Sequence, residues 1–181
     1  MYRYSDVVLR KFREEDIPDK VRWLNAGDNG RYLHYGLPLT EEQTKVWFEE
    51  MKNKANRWDA TVVYNGKPVG VFGLLNIDMT SKQAEDYSLI GEPGMQGKGI
   101  GYKAGVLNVA HAFYDLGLNK VWGIIEADDN ASLHRWRKMG GIVEGYLHDH
   151  VRKGNRYVDA YYVAILKNNF HLPADVYMSY D

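Results

Sequence analysis

Gln-Gly-Lys-Gly-Ile-Gly, residues 96–101, is the stretch of this chain that decides how the rest is interpreted. Its three glycines lack Cβ atoms, so successive backbone N–H groups can turn toward one anion. The following segment, Tyr102 to Leu116, has apolar residues at the spacing of one helical face: Val106, Val109, Ala110 and Phe113. A glycine-rich turn that opens a helix presents unpaired N–H groups to phosphate. The stretch therefore predicts a pyrophosphate-binding loop.

The glycine spacing separates three kinds of phosphate-binding loop. A P-loop is excluded, because Glu92 stands where its first glycine is needed and Gly99 follows the lysine. A dinucleotide fingerprint fits Gly99 to Ala104, but residues 91–94 intervene after the strand, and too few residues follow for a doubly wound sheet. The third pattern, Gln/Arg-x-x-Gly-x-Gly/Ala, is met by Gln96, Gly99 and Gly101. A plain glycine-rich turn stays open as the alternative.

Length, charge and composition limit the class of protein. A chain of 181 residues corresponds to about one domain, so we treat residues 1–181 as a single domain. With 23 basic and 24 acidic residues it has no electrostatic signature of nucleic-acid binding. The absence of cysteine excludes disulfides, thiolate metal sites and a cysteine nucleophile. No signal sequence or long apolar run occurs, which predicts a cytoplasmic protein without membrane contact.

The pattern of elements predicts an α/β (α+β) domain with a mixed central sheet flanked by helices. Strands are predicted over residues 7–12, 61–64, 68–76, 86–91, 121–127, 145–150 and 157–166. Helices are predicted around residues 21–24, after a capping box at Thr40 to Gln43, and over residues 102–116 and 132–139. Asn65-Gly66 is a strong hairpin signal. The order of strands and helices excludes an all-parallel sheet.

Several matches in the same order make the chain resemble the GNAT N-acetyltransferase superfamily over about residues 7–170. It is most similar to the branch of ribosomal-protein N-terminal, spermidine and amino-sugar-nucleotide N-acetyltransferases. The matching segments are the loop, Leu9-Arg10, Glu15-Asp16, Trp23-Leu24-Asn25, Asp129 to Ser132, Lys138 to Gly140, and Val143 to Gly145. The resemblance implies the GNAT fold, with acetyl-CoA as cosubstrate and no metal.

The resemblance also implies the reaction. A primary amine attacks the acetyl thioester directly in a ternary complex, and the chain has no cysteine to carry an acetyl group. The acceptor amine belongs to a protein N-terminus, a polyamine, an amino sugar or an antibiotic, held by loops within residues 25–40. A homodimer is a possible assembly. A non-catalytic acyl-CoA-binding sensor or partner protein is the alternative, and a small nicotinamide-binding protein is a third hypothesis.

The catalytic residues that the resemblance implies lie on the strand before the loop and on the helix after residue 128. The family's common acid falls on Asp86, with Glu85 beside it, and strand alternation lets only one of the two face the site. Trp136 stands where many relatives have a tyrosine that protonates the departing thiolate. An indole N–H cannot supply that proton near neutral pH.

The cofactor contacts implied by the resemblance form three groups. The pantetheine chain meets the backbone of Leu89, Ile90 and Gly91, and the pyrophosphate meets residues 96–102. Those residues are Gln96, Gly97, Lys98, Gly99, Ile100, Gly101 and Tyr102. The usual pantetheine-binding asparagine aligns with Asp129, with Asn130 one place on. His148 and His150 supply two metal ligands at most, so no metal site is predicted.

Overall fold

A mixed sheet forms the middle of the protein, whose computed structural model describes residues 1–27 and 38–178. The strands are β1 Tyr2–Tyr4, β2 Val7–Lys11, β3 Trp58–Tyr64, β4 Lys67–Asp78, β5 Gln83–Ile90, β6 Lys120–Glu126, β7 Ile142–Lys153, β8 Arg156–Leu166 and β9 Val176–Met178. The helices are α1 Ile17–Asn25, α2 Glu41–Met51, α3 Ile100–Ala110 and α4 Asn130–Lys138. No helix in these residues is long and apolar enough to cross a membrane.

The strand order is β7-β8-β6-β5-β4-β3-β2-β1-β9, and of the described pairs only β5 and β6 are parallel. This arrangement confirms the predicted mixed sheet. The sequence prediction missed β1 and β9, which pair with each other at one edge. Each has only three residues, too few to show the alternation of a strand. The sheet therefore extends beyond the predicted core of residues 7–170.

The parallel strands β5 and β6 separate part of the way along their length. Their register pairs are Gln83 with Lys120, Ala84 with Val121, and Glu85 with Trp122. No further β5–β6 pairs follow, although β5 runs on to Ile90 and stays paired with β4. A cleft therefore opens between β5 and β6 from Asp86 onward, and the side of β5 that faces it is not paired with β6.

Helix α3 is buried more completely than the sequence indicated. Val106, Val109 and Ala110 pack in one apolar cluster with α4, as the predicted face requires. Ile100, Ala104 and Leu107 pack in a second cluster, against β2, β3 and β4. The predicted apolar face is therefore confirmed, but the helix has a second apolar face that the sequence prediction missed. The helix ends in a π-helical turn, His111–Asp115, inside the segment that was predicted to be continuous α-helix.

Helices α1 and α2 cover the opposite face of the sheet. Ile17 and Trp23 of α1 pack with Phe12, Val71 and Tyr87, and α2 adds Trp47 and Phe48. The capping box at the start of α2 is confirmed by Gln43 N donating to Thr40 Oγ1 at 3.2 Å. The hairpin at Asn65-Gly66 is also confirmed, because both residues have the positive φ of a type I′ turn.

Candidate functional site

The glycine-rich loop ends at the first turn of α3. Gly94, Gly97 and Gly99 have φ angles of 74°, 77° and 76°, a conformation that favours glycine. Gly99 is the N-cap residue of α3. A Cβ added at any of these three would meet nothing within 4 Å, so the space in front of the loop is open. The loop therefore fits an anion held by the N–H groups of a helix terminus.

The predicted pyrophosphate residues gather around this terminus with different exposure. Gln96, Gly97, Lys98 and Gly99 are exposed, and Gln96 Nε2 donates to Ile90 O at 3.3 Å. Ile100 is 1% exposed, so its backbone alone can contribute. Gly101 leaves room toward Ile90, whose Cγ1 lies 3.8 Å from an added Cβ.

The two candidate carboxylates of β5 lie on opposite faces of the sheet. Asp86 faces α3, where Asn108 Nδ2 donates to its Oδ1 at 2.6 Å. Glu85 faces the α1/α2 side by strand alternation and accepts from Asn76 Nδ2 at 2.8 Å. Asp86 is the carboxylate at the point where β5 and β6 separate.

Polar groups that the sequence prediction did not identify surround Asp86. Burial raises the pKa of Asp86, and the charge of Arg135 and the hydrogen bond from Asn108 lower it in part. Asn108 is fully buried in α3, and its Nδ2 also donates to Gly73 O at 3.0 Å. The sequence of α3 contained an indication of this cluster, because an asparagine inside an apolar helix requires buried hydrogen-bond partners.

Trp136 lies on the Asp86 side of the sheet, at the narrow end of the cleft. It is 3% exposed and packs on Gly123 of β6. A Cβ added at Gly123 would lie 3.0 Å from Trp136 Cζ2 and 3.8 Å from Asp86 O. Gly141 has no room for a side chain, because an added Cβ would lie 2.7 Å from Trp136 O. The structure thus brings Trp136 and the Asp86 backbone to one place.

The predicted pantetheine contacts are placed as follows. Leu89 and Ile90 lie on the part of β5 beyond the last β6 pair. Gly91 N donates to Val69 O at 3.0 Å, so its N–H is already used within the sheet. Asp129 caps α4 by accepting from Ser132 N at 2.9 Å, and Asn130 is the exposed first residue of that helix.

A metal site has no support in the residues described. No group of three or more His, Cys, Asp or Glu side chains there could hold a metal ion. The strand is irregular around His148 and His150, because the β7 register shifts between Leu147 and Val151 and Asp149 has a φ of 48°. Most of the predicted acceptor loop, residues 28–37, lies outside the described residues.

A cleft between two parallel strands, followed in the chain by an open glycine loop at a helix N-terminus, fits coenzyme A. The loop suits its pyrophosphate, and the side of β5 that is not paired with β6 suits its pantetheine amides. This arrangement defines an acyl-CoA-dependent acyltransferase. Residues 6–142 match the acetyltransferase (GNAT) domain family. The chain therefore belongs to the GNAT acetyltransferases, as the sequence resemblance indicated.

The individual proteins to which the chain is similar are also acetyltransferases. A spermidine N(1)-acetyltransferase of Escherichia coli strain K12 is 28% identical over 165 residues, covering 83% of this chain and 87% of the relative. An uncharacterized N-acetyltransferase, p20, of Bacillus licheniformis is 25% identical over 170 residues, covering 91% and 94%. The Vibrio cholerae spermidine N-acetyltransferase, solved with CoA and spermine, superposes with a TM-score of 0.85 at 20% identity, covering 91% of this chain and 98% of the other. That last likeness concerns the fold.

Proposed function

We propose that this acetyltransferase acetylates a primary amine of a polyamine by direct attack in a ternary complex. The observation that carries the proposal is the cleft between β5 and β6, with Asp86 where it opens and the pyrophosphate loop directly after β5. The polyamine is inferred from the relatives named as spermidine acetyltransferases. Among the acceptors that the sequence left open, polyamines therefore have the most support.

Different residues of the cleft bind the cofactor and accept the proton. When bound, acetyl-CoA supplies an activated acetyl thioester. The N–H groups of residues 97–102 bind its pyrophosphate, and β5 orients its pantetheine. An alkylammonium of pKa about 10.4 is neutral in only about 1 molecule in 2,500 at pH 7, so a base is required. Asp86 accepts the proton from the amine, directly or through a water molecule.

The electrostatics of Asp86 suit this role. Burial raises the pKa of Asp86 above that of an ordinary aspartate, so its carboxylate is a stronger base than a solvated one. The base must be ionised to work. The rate is therefore expected to increase as the pH rises through the raised pKa of Asp86.

A panel of amines tests the proposed function against a non-catalytic acyl-CoA-binding protein. Release of free CoA from acetyl-CoA is measured with a thiol reagent, which is free of background because the chain has no cysteine. The panel contains spermidine, a diamine, an amino sugar and a peptide with a free N-terminus. Turnover with polyamines at the highest kcat/KM supports the proposal. Binding of acetyl-CoA without turnover of any amine contradicts it and favours the sensor.

Substitution of Gly101 tests the placement of the cofactor. Gly101→Val adds bulk beside the N–H groups of the first turn of α3 and is expected to weaken CoA binding by about tenfold or more. The fold should be retained, because the nearest atom to the added Cβ lies at 3.8 Å. Gly145→Val is the matched control: it has the same 3.8 Å of room, on β7. Equal CoA affinity of both variants by calorimetry would contradict the pyrophosphate assignment.

Self-association and location remain predictions. A Vibrio cholerae relative has been solved as a dodecamer. Strand β7 of this chain lies at the edge of the sheet and has exposed Ile142, Val143 and Tyr146. We propose that copies of the chain associate through this edge, with the cytoplasm as the expected location.

A further inference from the structure

Arg135 of α4 points across the cleft toward β5. Its Nη2 donates to Ser88 Oγ at 2.9 Å, and Ser88 lies beyond the last residue pair of β5 and β6. A Cβ added at Gly101 would lie 3.9 Å from both Cδ and Nη1 of Arg135. The guanidinium therefore lies between the free part of β5 and the first turn of α3.

One N–H of this guanidinium group has no partner in the described part of the chain. Arg135 Nε is buried and has no hydrogen-bond partner among residues 1–27 and 38–178. The carboxylates that act on Arg135 electrostatically are Asp86 and Asp129. A buried N–H without an acceptor is costly, which indicates that an acceptor is supplied by a bound molecule. Arg137, two residues later on the same helix, is exposed.

The proposed reaction creates an anion in this region. The amine nitrogen forms a bond to the acetyl carbon, the carbon–sulfur bond breaks, and its electron pair stays on sulfur as the CoA thiolate. The proton lost by the amine goes to Asp86. Trp136, at the position of the usual acid, cannot protonate the sulfur near neutral pH. The sulfur therefore leaves with its negative charge and needs a positive group nearby.

We propose that Arg135 stabilises the departing CoA thiolate by charge and hydrogen bonding, in place of a proton-donating acid. This role rests on the proposed acetyl transfer. Asp86 and Ser88 are on one face of β5, so the guanidinium that binds Ser88 lies beside the carboxylate that takes the proton. Arginine keeps its charge at neutral pH, and its planar N–H groups suit an anion formed in a water-poor cleft.

Titration of the bound product tests the proposal without turnover. CoA is bound at saturation, and its thiolate absorbance is followed from about pH 6 to 9, below the range where tyrosine ionises. The signal belongs to CoA alone, because the chain has no cysteine. A free thiol has a pKa of about 8.5. In the parent protein we expect the pKa of the bound thiol to be lower by about one unit or more, the effect of an adjacent positive charge.

Arg135→Gln should bring the pKa of the bound thiol back to about the free value and lower kcat by about 10- to 100-fold, the loss of one hydrogen bond to a charged group. Arg137→Gln, its exposed neighbour, is the control and should change neither quantity. Arg135→Lys keeps the positive charge and should keep part of the shift in the thiol pKa. It provides a second test if Arg135→Gln folds poorly. Circular dichroism confirms the fold of each variant.

Two outcomes would overturn the assignment. If Arg135→Gln binds CoA more weakly but leaves the bound thiol pKa unchanged, the arginine binds another part of the cofactor. If the parent protein itself does not shift the thiol pKa, Arg135 does not act on sulfur. Failure of the proposed function can be told apart from failure of this assignment. The thiol titration needs no acceptor amine, so it reports the effect of Arg135 on the bound thiol even if the protein acetylates none of the amines tested.

Discussion

The two faces of the sheet each have an aspartate close to an arginine, and the two arrangements differ in how completely they are hydrogen-bonded. On the α1/α2 face, Arg57 donates to both oxygens of Asp59 at 2.7 and 2.9 Å. Tyr87 of β5 donates its hydroxyl to the same carboxylate. Asp59 therefore has a fixed, multiply bonded position inside the protein.

On the α3/α4 face, the polar groups have fewer partners. Asp86 has a hydrogen bond from Asn108, and Arg135 donates to Ser88. Asn108 Oδ1 and Arg135 Nε are buried without partners in the described part of the chain. Buried polar groups are normally hydrogen-bonded, and the exceptions concentrate at functional sites. We therefore propose that the Asp59 network stabilises the fold, whereas the Asp86 cluster serves a bound cofactor and acceptor.

The largest expected effect comes from removing the charge of Asp86. Asp86→Asn should lower kcat by about 10² to 10⁴, the range for a lost acid–base group, with little change in CoA affinity. The Asp86→Asn substitution should not lower the free energy of unfolding. Because the folded pKa is raised, Asp86 favours folding below its unfolded pKa and loses that contribution as pH rises through the folded pKa. Urea denaturation at several pH values should show this decrease of the free energy of unfolding with rising pH in the parent but not in Asp86→Asn.

Asp59→Asn is the matched change on the other face. It breaks the bidentate pair with Arg57 and should lower the free energy of unfolding by about 1–3 kcal/mol. The folded variant should keep kcat within about tenfold of the parent, well short of the loss at Asp86. If Glu85→Gln loses kcat as Asp86→Asn is expected to, and Asp86→Asn does not, the catalytic carboxylate lies on the α1/α2 face and the comparison fails.

A pH-dependent change in stability is expected at Lys20, which extends the Asp59 network electrostatically. Its Nζ lies 3.1 Å from the centre of the Trp47 ring, and the residue is 1% exposed. Burial lowers the pKa of Lys20 to about 7, against the opposing charge of Asp59. The unfolded chain therefore binds more protons between about pH 7 and 10.5, and stability rises with pH over that range.

Lys20→Met should remove this dependence on pH and stabilise the protein at pH 7 by about 1–4 kcal/mol, because no buried charge remains. Denaturant unfolding at pH 7 and near pH 9 measures both effects. Lys45→Met, an exposed change on α2, is the control. A Lys20→Met variant that is less stable than the parent at both pH values would show that the charged lysine stabilises this face.

Local chemistry explains which features the sequence predicted. The loop was recognisable because Gly97 and Gly99 adopt a backbone conformation that other residues avoid. The opposite orientation of Asp86 and Glu85 followed from the two-residue period of a strand. The Asn65-Gly66 hairpin and the Thr40 capping box depend on neighbouring residues alone. Each of these features is set within a few residues of chain.

Features that depend on distant pairs were not predictable. The partners that surround Asp86 come from α3 and α4; Asn108 is 22 residues from Asp86, and Arg135 is 47 residues from Ser88. The place where β5 and β6 separate depends on pairing between strands, which no local pattern encodes. Burial of α3 on two sides results from its position between two apolar clusters. The sequence therefore predicted the strand that carries Asp86 but not the charges around it.

The smallest expected effect is at Trp136, where the family resemblance implies a tyrosine in many relatives. If Arg135 stabilises the thiolate, the indole needs only to pack on Gly123. Trp136→Phe should then keep kcat within about tenfold, because an apolar ring remains and only an N–H is lost.

Trp136→Tyr restores a group able to donate a proton but should not raise kcat, since the sulfur already leaves as a stabilised anion. Steady-state kinetics of both variants at saturating acetyl-CoA give the comparison. A Trp136→Tyr rate well above the parent would show that protonation of the leaving group limits turnover, and a fall of more than tenfold in both would show that the indole N–H is itself required.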